Sequence, residues 1–431
     1  MNNRLIKNAS WIIVCRIIQS LFSLIIGTLT ARYLGPANYG LIHYASSIVA
    51  FVIPLMQLGF RNTLVYELVK KPDEEGRSLG TALLMNLISA ALCIVGVVSF
   101  VFIANRGEPE TILVCALYSL NLIFQALEMM QYWFQAKLLS QYTAVISVIA
   151  YVVVSAYRVY LLVSGKSIYW FAVSQALDYM IISVSLLIAY RVIGKSRLSF
   201  SALRGKEMLS SSRPYILSGM MVAVFGYIGS VFLKLLIGEQ AVGFYTAAIT
   251  CAGMANFVFT AIIDSARPVI LESYRTDRDS FKHKMVQLYA VIVVLSVLES
   301  VVITVFAKWI VIILYGAAYS EAVLPLQIVT WQTVFSLIGT VRNIWILAEG
   351  KQQYLWWINA IGATLSISMN ILLIPFAGPV GAAVSAVVTQ LFANVVLSFV
   401  IKPIRGNNVL LLKSLNGKTW LAIFKAYIKH K

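Results

Sequence analysis

The sequence predicts an all-α integral membrane protein of about twelve transmembrane helices, in two parallel-repeat six-helix lobes around a central cavity. Composition, the spacing of apolar runs and a matched pair of glycine turns lead to that reading. Of 431 residues, 60% are hydrophobic and 12% charged, and the mean hydropathy is +0.84. Soluble domains carry about 45–50% apolar and about 25% charged residues. A single soluble core stops growing near about 250–300 residues. The solvent left for so much apolar surface is lipid.

A spanning helix takes about 20 mostly apolar residues. Breaking the chain at charged and Gly/Pro-marked gaps gives twelve segments: 11–33, 41–60, 79–103, 111–133, 142–163, 168–190, 214–236, 242–263, 284–307, 322–348, 354–376 and 378–401. The first follows Arg4 and Lys7 like a signal peptide. It exceeds the roughly 7–15 apolar residues of such a peptide, so it reads as a retained span.

Lysine and arginine set the orientation. Arg61, Lys70, Lys71 and Arg77 share one side with Arg191, Lys195, Arg197, Arg204, Lys206 and Arg213. Arg267, Arg275, Arg278 and Lys282 join them, as does the tail from Lys402 to Lys431. The other side holds little beyond Arg106, Lys166 and Lys308. The basic side is therefore expected to be cytoplasmic, with both termini there. The expected organisation is an N-terminal lobe over 1–190 and a basic linker over 191–213. A C-terminal lobe over 214–401 and a basic tail over 402–431 follow. The tail's spaced lysines fit either an interfacial helix on anionic lipid or a frayed segment that fixes topology.

The segments "ARYLGPANYG" and "KLLIGEQAVG" explain the two lobes. Gly35 and Gly40 match Gly238 and Gly243 at one shift of 203 residues, which also sets Ala45 on Ala248 and the first span on the seventh. Six spans per half is an even number, so both halves enter the membrane from the same side, as in transporters with parallel repeats. Gly219, Gly226 and Gly229 in the seventh span, and Gly381 with Ser385 in the twelfth, read as close-packing positions.

Ionisable residues inside spans are costly and point to function. Asp178 and Glu299 fall nearest mid-membrane, Arg16, Glu128 and Arg342 in the basic half, and Arg158 and Lys234 toward the opposite end. Arg16, Arg342, Lys234 and Arg158 would line a cationic cavity suited to phosphate or pyrophosphate, since a guanidinium donates two parallel hydrogen bonds to an oxyanion. Snorkelling to the interface accounts equally well for Arg158 and Lys234. Asp178, Glu299 and Glu128 are candidates for ion coupling or charge pairing. The four cysteines and three histidines are scattered, so no metal site, disulfide framework or cofactor is indicated. The +17 net charge sits in short loops between spans, which argues against a nucleic-acid partner. "NGKT" at 416–419 lacks the earlier glycine of a phosphate-binding loop, Leu412 standing in its place.

The stretch "NASWIIVCRIIQSLFSLIIGTLTARYLGPANYGLIHYASSIVAF" with "LGFRNTLVYELV" resembles the opening of bacterial polysaccharide repeat-unit flippases of the Wzx type. These form part of the multidrug/oligosaccharidyl-lipid/polysaccharide exporter superfamily. "YWFQAKLLSQYTAV", "VGFYTAA", "SARPVI", "LYGAAYSEAVLPLQIV" and "NILLIPFAGPVGAAVSAVVTQ" continue the likeness over nearly the whole chain except the tail. The resemblance implies a bacterial plasma-membrane protein, not an enzyme, that flips undecaprenyl-pyrophosphate-linked oligosaccharide to the outer leaflet by alternating access. That would serve O-antigen, capsule or exopolysaccharide synthesis. Its implied partners are lipid-linked oligosaccharide, membrane lipids, and a polysaccharide polymerase and chain-length regulator. Arg16 stands where such transporters commonly carry an arginine in the first span. The competing readings are a cation-coupled drug antiporter of the same superfamily and a membrane polysaccharide polymerase. The second needs catalytic groups that the short outer loops scarcely offer beyond Glu108, Glu110, Glu239 and Glu321.

Overall fold

Lipid cannot hydrogen-bond a peptide group, so a spanning chain must satisfy its backbone internally, as helix. The computed structural model describes residues 3–194 and 196–416, with side chains from residue 22 onward apart from residue 62. The helices run α1 Asn3–Met56, α2 Phe60–Lys70, α3 Glu75–Ala104, α4 Pro109–Ser119, α5 Asn121–Leu127, α6 Gln131–Ala136, α7 Ser140–Val163, α8 Ile168–Ile193 and α9 Ala202–Leu236. They continue as α10 Glu239–Ala252, α11 Asn256–Thr276, α12 Arg278–Tyr315, α13 Val323–Val329, α14 Trp331–Ala348, α15 Gln353–Leu391, α16 Leu397–Val400 and α17 Gly406–Ser414.

Among the described residues, nine helical stretches are long and apolar enough to cross a bilayer, and the pair α10 and α11, bent by 44°, makes a tenth. Two of the nine hold two arms each. Helix α1 breaks at Gly35 (φ 71°, ψ 172°) and α15 at Gly378 (φ 51°, ψ −127°). Counted by arms, the spans number twelve and fall where the apolar segments predict them.

The break at Gly35 is a hairpin. The Tyr33 hydroxyl donates to the Lys166 carbonyl (3.1 Å), between α7 and α8. The Tyr44 hydroxyl donates to Asn105 Oδ1 (2.8 Å), just past α3. Farther along, Ser89 Oγ donates to the Leu55 carbonyl (3.3 Å), halfway back along α3. The first arm thus climbs away from the basic loops and the second returns. At Gly378 the chain doubles back closely enough that a Cβ on Gly381 would overlap the Leu373 carbonyl. This fold-back accounts for Gly381 more specifically than the helix-packing stripe read from the sequence.

Every connection from an odd-numbered span to the next even one carries a glycine at positive φ: Gly35, Gly107, Gly165, Gly238, Gly316 and Gly378. A Cβ is strained in that region, so the turn selects glycine. Gly35 and Gly238 are the matched pair of the sequence repeat. Their neighbours touch reciprocally. A Cβ on Gly40 would overlap the Glu239 carbonyl and the Gly243 nitrogen, and a Cβ on Gly243 would overlap the Pro36 carbonyl. The same 203-residue shift that maps Gly40 onto Gly243 maps Pro36 onto Glu239. The two turns therefore pack on each other as a self-complementary, two-fold-like contact.

By internal contacts the chain forms two compact units, Met1–Gly243 and Phe244–Lys431. In the first, α1 packs against α3, α4, α7 and α9. One apolar core gathers Tyr44, Val97, Cys115 and Leu122 in the half away from the basic loops. A second gathers Phe60, Leu79, Phe134, Trp133 and Met208 in the basic half. Gly219 of α9 lies against the Pro54 side chain, as expected of a close-packing glycine. Of the basic segment 191–213, residues from Ala202 on are already helix, because the Ser201 hydroxyl accepts from the Arg204 backbone and caps α9. The stretch before it docks on α3. Cβ atoms on Gly76 and Gly80 would overlap the backbone of Arg197 and Ser199. The Ser199 amide donates to the Gly76 carbonyl (3.2 Å), the Ser201 amide to Thr81 Oγ1 (2.9 Å), and Ser196 Oγ to Glu75 Oε1 (2.8 Å). Glu75 also pairs with Lys137 (2.6 Å), and Arg204 with Glu74 and Glu207.

In the second unit, α12 packs against α11, α13, α14 and α17. Thr304 Oγ1 donates to the Gln327 carbonyl (3.3 Å), and Gln327 Nε2 returns a bond to the Thr304 carbonyl (3.1 Å). The start of the tail is anchored. The Tyr289 hydroxyl donates to Asn407 Oδ1 (2.9 Å), Asn408 Nδ2 to the Ser398 carbonyl (2.7 Å), and Lys351 Nζ to the Pro403 carbonyl (2.7 Å). Residues 417–431, which carry most of the tail's lysines, lie outside the described residues.

The reciprocal turn contact has a measurable signature. Gly40→Val and Gly243→Val should each lower stability by roughly 1–3 kcal/mol through overpacking. The double variant should cost clearly less than the sum, because both changes disrupt one shared contact. Unfolding titrations of the purified protein in mixed micelles check this, and strict additivity would mean that the two glycines do not share an interface.

Candidate functional site

The charges within the spans fall into separate settings in the two units. The side chain of Arg16, on the first arm of α1, lies outside the described residues. In the first unit Arg158 reaches from α7 to α8. Its Nε donates to Ser174 Oγ (3.0 Å) and an Nη to Gln175 Oε1 (2.9 Å). Asp178 follows Ser174 by one turn of α8 and is buried, and its Oδ1 has no hydrogen-bond partner among the described residues. Arg158 acts on it electrostatically. Glu128 opens a single 3-10 turn, Glu128–Met130, that interrupts the fourth span between α5 and α6. It feels both Asp178 and Arg61. Buried Asn121 and Gln125 lie on α5, just before that turn. The first unit thus groups two carboxylates, Asp178 and Glu128, with the partly buried Arg158, whose hydrogen-bond partners are neutral, and the exposed Arg61.

Lys234 sits differently. It is buried near the end of α9, where Nζ bonds both Glu108 (2.7 Å) and Glu239 (2.7 Å). Glu108 also accepts from Thr111 Oγ1 (2.7 Å) and Asn105 Nδ2 (3.4 Å), and Asn105 in turn accepts from Tyr44. This chain of bonds joins the second arm of α1, the α3–α4 connection and the α9–α10 turn, beside the Gly40/Gly243 contact. Above all the bond from Lys234 holds the Glu108 carboxyl below the usual carboxylate range.

In the second unit Arg342 of α14 is buried against a π-helical turn, Phe392–Val396, that follows α15. One Nη donates to the Ala393 and Asn394 carbonyls (3.1 and 3.3 Å) and to Ser398 Oγ (3.2 Å). The other donates to Asn394 Oδ1 (3.2 Å) and Asn343 Oδ1 (3.3 Å). A π turn shifts the helical hydrogen-bonding pattern and exposes carbonyls, which here solvate the guanidinium. Gly339, one turn before, makes room, since a Cβ there would overlap the Asn394 side chain. Glu299 lies midway along α12, beside the backbone of Ala255 at the bend between α10 and α11. Neither of its oxygens has a hydrogen-bond partner by geometry among the described residues.

The three described cations therefore differ chemically. Arg342 is solvated by neutral dipoles and keeps its field. Arg158 has neutral hydrogen-bond partners with the Asp178 carboxyl acting on it electrostatically, and Lys234 is compensated by two carboxylates. Sequence reasoning missed Glu108 as the partner of Lys234 and Asn394 as that of Arg342. Glu239, five residues past Lys234 across a glycine turn, was within reach of a local reading. Glu108 lies on another connection, and the π turn leaves no mark in composition.

Comparisons with known proteins agree with this architecture. The family described as polysaccharide biosynthesis protein matches residues 5–274. The capsular polysaccharide biosynthesis protein CapF of Staphylococcus aureus is 23% identical over 398 residues, covering 90% of this chain and 97% of that protein. Among solved structures, an inward-facing multidrug resistance MATE family transporter of the MOP superfamily aligns with a TM-score of 0.70 at 14% identity. That alignment covers 91% of this chain and 95% of the other. The lipid II flippase MurJ, in an inward closed conformation, aligns with a TM-score of 0.69 at 15% identity, covering 96% and 92%. At such identities the structural likeness carries the fold, the twelve-helix two-lobe architecture shared by these transporters. With more than half of its length matched, the chain belongs to the polysaccharide biosynthesis protein family.

Proposed function

We propose that this protein flips undecaprenyl-pyrophosphate-linked oligosaccharide repeat units from the cytoplasmic to the outer leaflet of the bacterial plasma membrane, by alternating access, for capsule, O-antigen or exopolysaccharide synthesis. The observation that carries the reading is the family match over residues 5–274, seated on the fold shared with a lipid-linked-precursor flippase. A pyrophosphate crossing a bilayer needs cations that are held in place but not neutralised. Arg342 and Arg158, solvated by carbonyl, amide and hydroxyl oxygens, meet that requirement, and Arg16 is the third member of the set. Lys234 is already compensated, so its role is closure of the end away from the basic loops. Asp178 with Glu128 in the first unit, and Glu299 at the α10–α11 bend in the second, are the carboxylates for ion coupling. The basic loops and both termini face the cytoplasm in this reading, and a polymerase and chain-length regulator act on the delivered units.

A conditional knockout of the host gene tests the function directly. Complete lipid-linked repeat units should collect on the inner leaflet, and wild type but not Arg16→Ala should restore export while both accumulate equally in the membrane. Unpolymerised units on the outer leaflet would make the protein a polymerase. Unchanged lipid-linked sugars would point to a cation-coupled antiporter, the other activity hosted by this fold.

Closure has its own test. Opening the far end requires Lys234 to leave Glu108, Glu239 or both. Glu108→Gln and Glu239→Gln should therefore raise labelling of a cysteine replacing the buried Ala241 by a membrane-impermeant maleimide several-fold, and unchanged labelling would remove the cluster from gating. Because the Glu108 pKa is lowered, its contribution is full above the unfolded value of about 4.3 and is lost only as pH falls through the lower folded value. Labelling of the parent cysteine variant, taken relative to a fully exposed reference cysteine so that the thiol's own titration cancels, should stay constant between pH 5 and 8.

A further inference from the structure

A cavity among the described residues lies at the basic end of the first unit, where α8 gives way to the docked segment before α9. Its volume is about 560 Å³, within the roughly 300–1,000 Å³ of small-molecule sites. Its floor is rigid. The Tyr190 hydroxyl donates to the Ser196 carbonyl (2.8 Å), the Tyr190 ring meets Trp133 edge-on at 5.0 Å, and Ser196 is tied to Glu75. One wall is the lipid-facing stripe Val184, Leu187 and Ile188, of which Ile188 is 59% exposed. The mouth carries Arg191 and Arg197, both exposed. Among the described residues neither has a side-chain hydrogen bond or ion pair, while Glu75 is paired with Lys137 and Glu74 with Arg204. Leu198 and Phe200, 41% and 54% exposed, extend the apolar rim along the same segment.

We infer that this groove is a binding site for an anionic glycerophospholipid. Its phosphate would sit between the Arg191 and Arg197 guanidiniums and its acyl chains along Val184 and Ile188. The chemistry is specific on both sides. Two guanidiniums without carboxylate partners, at the level where apolar side chains give way to basic ones, complement a phosphodiester. The wall below them is aliphatic over just more than one turn of α8, Val184 to Ile188, the surface an acyl chain takes. The lining offers no cluster of amide or carboxylate groups of the kind that sugars require, which sets it apart from a repeat-unit site. The bound lipid would brace the segment that docks on Gly76 and Gly80, and so the join between the sixth and seventh spans. The inference stands independently of which substrate the protein moves.

Thermal unfolding of the purified full-length protein in nanodiscs tests it. The probes are phosphatidylcholine alone, phosphatidylcholine with 20% phosphatidylglycerol, and phosphatidylcholine with undecaprenyl phosphate. Phosphatidylglycerol should raise the unfolding midpoint of wild type by several degrees. Arg191→Gln/Arg197→Gln should unfold with wild type in phosphatidylcholine but lose most of the phosphatidylglycerol gain. Lys71→Gln/Arg275→Gln, which removes the same charge elsewhere, should keep the gain. An equal gain in the groove variant, an equal loss in the control, or a gain from undecaprenyl phosphate but none from phosphatidylglycerol would each overturn the site.

Discussion

Two stretches of backbone that touch with no side chain between them set much of what this protein can be. Gly40 against Glu239 and Gly243 against Pro36 bring the first turn of each half into van der Waals contact. Small residues allow such approach, and in lipid, where apolar side chains gain little by leaving one solvent for an equivalent one, packing of this kind drives association. The contact is reciprocal under the shift that relates the halves, so its geometry follows from the repeat. Around it the polar chain Tyr44–Asn105–Glu108–Lys234–Glu239 supplies the charge-assisted bonds that glycine packing lacks. The two devices complement each other. Close backbone packing has a shallow, short-ranged attraction that vanishes over an ångström or two. A Lys–carboxylate bond declines more gradually with distance. A contact built from both combines a tight, short-ranged attraction with a longer-ranged one.

Much of the fold was legible because the solvent is lipid. Twelve apolar runs became twelve arms, and Gly35 and Gly238 are both turn glycines at positive φ. The family likeness noted along the chain agrees with the match to polysaccharide biosynthesis proteins. Where the reading fell short, the cause was local hydrogen bonding. The basic segment 191–213 looked like a tether, yet its first part lies in register on Gly76 and Gly80 and its second is the opening of α9 behind the Ser201 cap. A seryl cap and two glycines four residues apart are visible once sought, but net charge drew attention away from them.

The candidate site was legible only as positions. The sequence shows that Arg158, Lys234 and Arg342 are cations within spans, but not what solvates them, and that decides their chemistry. Glu108 neutralises Lys234 from another connection, and Arg342 draws on carbonyls that exist as acceptors because Phe392–Val396 departs from α geometry. A carboxylate can be guessed from sequence as a partner; a carbonyl released by a π turn cannot.

That distinction bears on how a membrane protein handles a multiply charged anion. A buried cation paired with a carboxylate contributes little field at a distance, while one held by neutral dipoles projects nearly its full charge. Dipolar solvation offsets part of the burial cost without cancelling the charge. The arrangement around Arg342, five neutral oxygens on two guanidinium nitrogens and Gly339 cleared for Asn394, keeps an arginine charged inside a helical unit in lipid. A carboxylate there would satisfy the guanidinium better but cancel its field. The structure places its acids instead at Lys234, where they neutralise the ammonium, and neutral oxygens on the guanidiniums of Arg158 and Arg342.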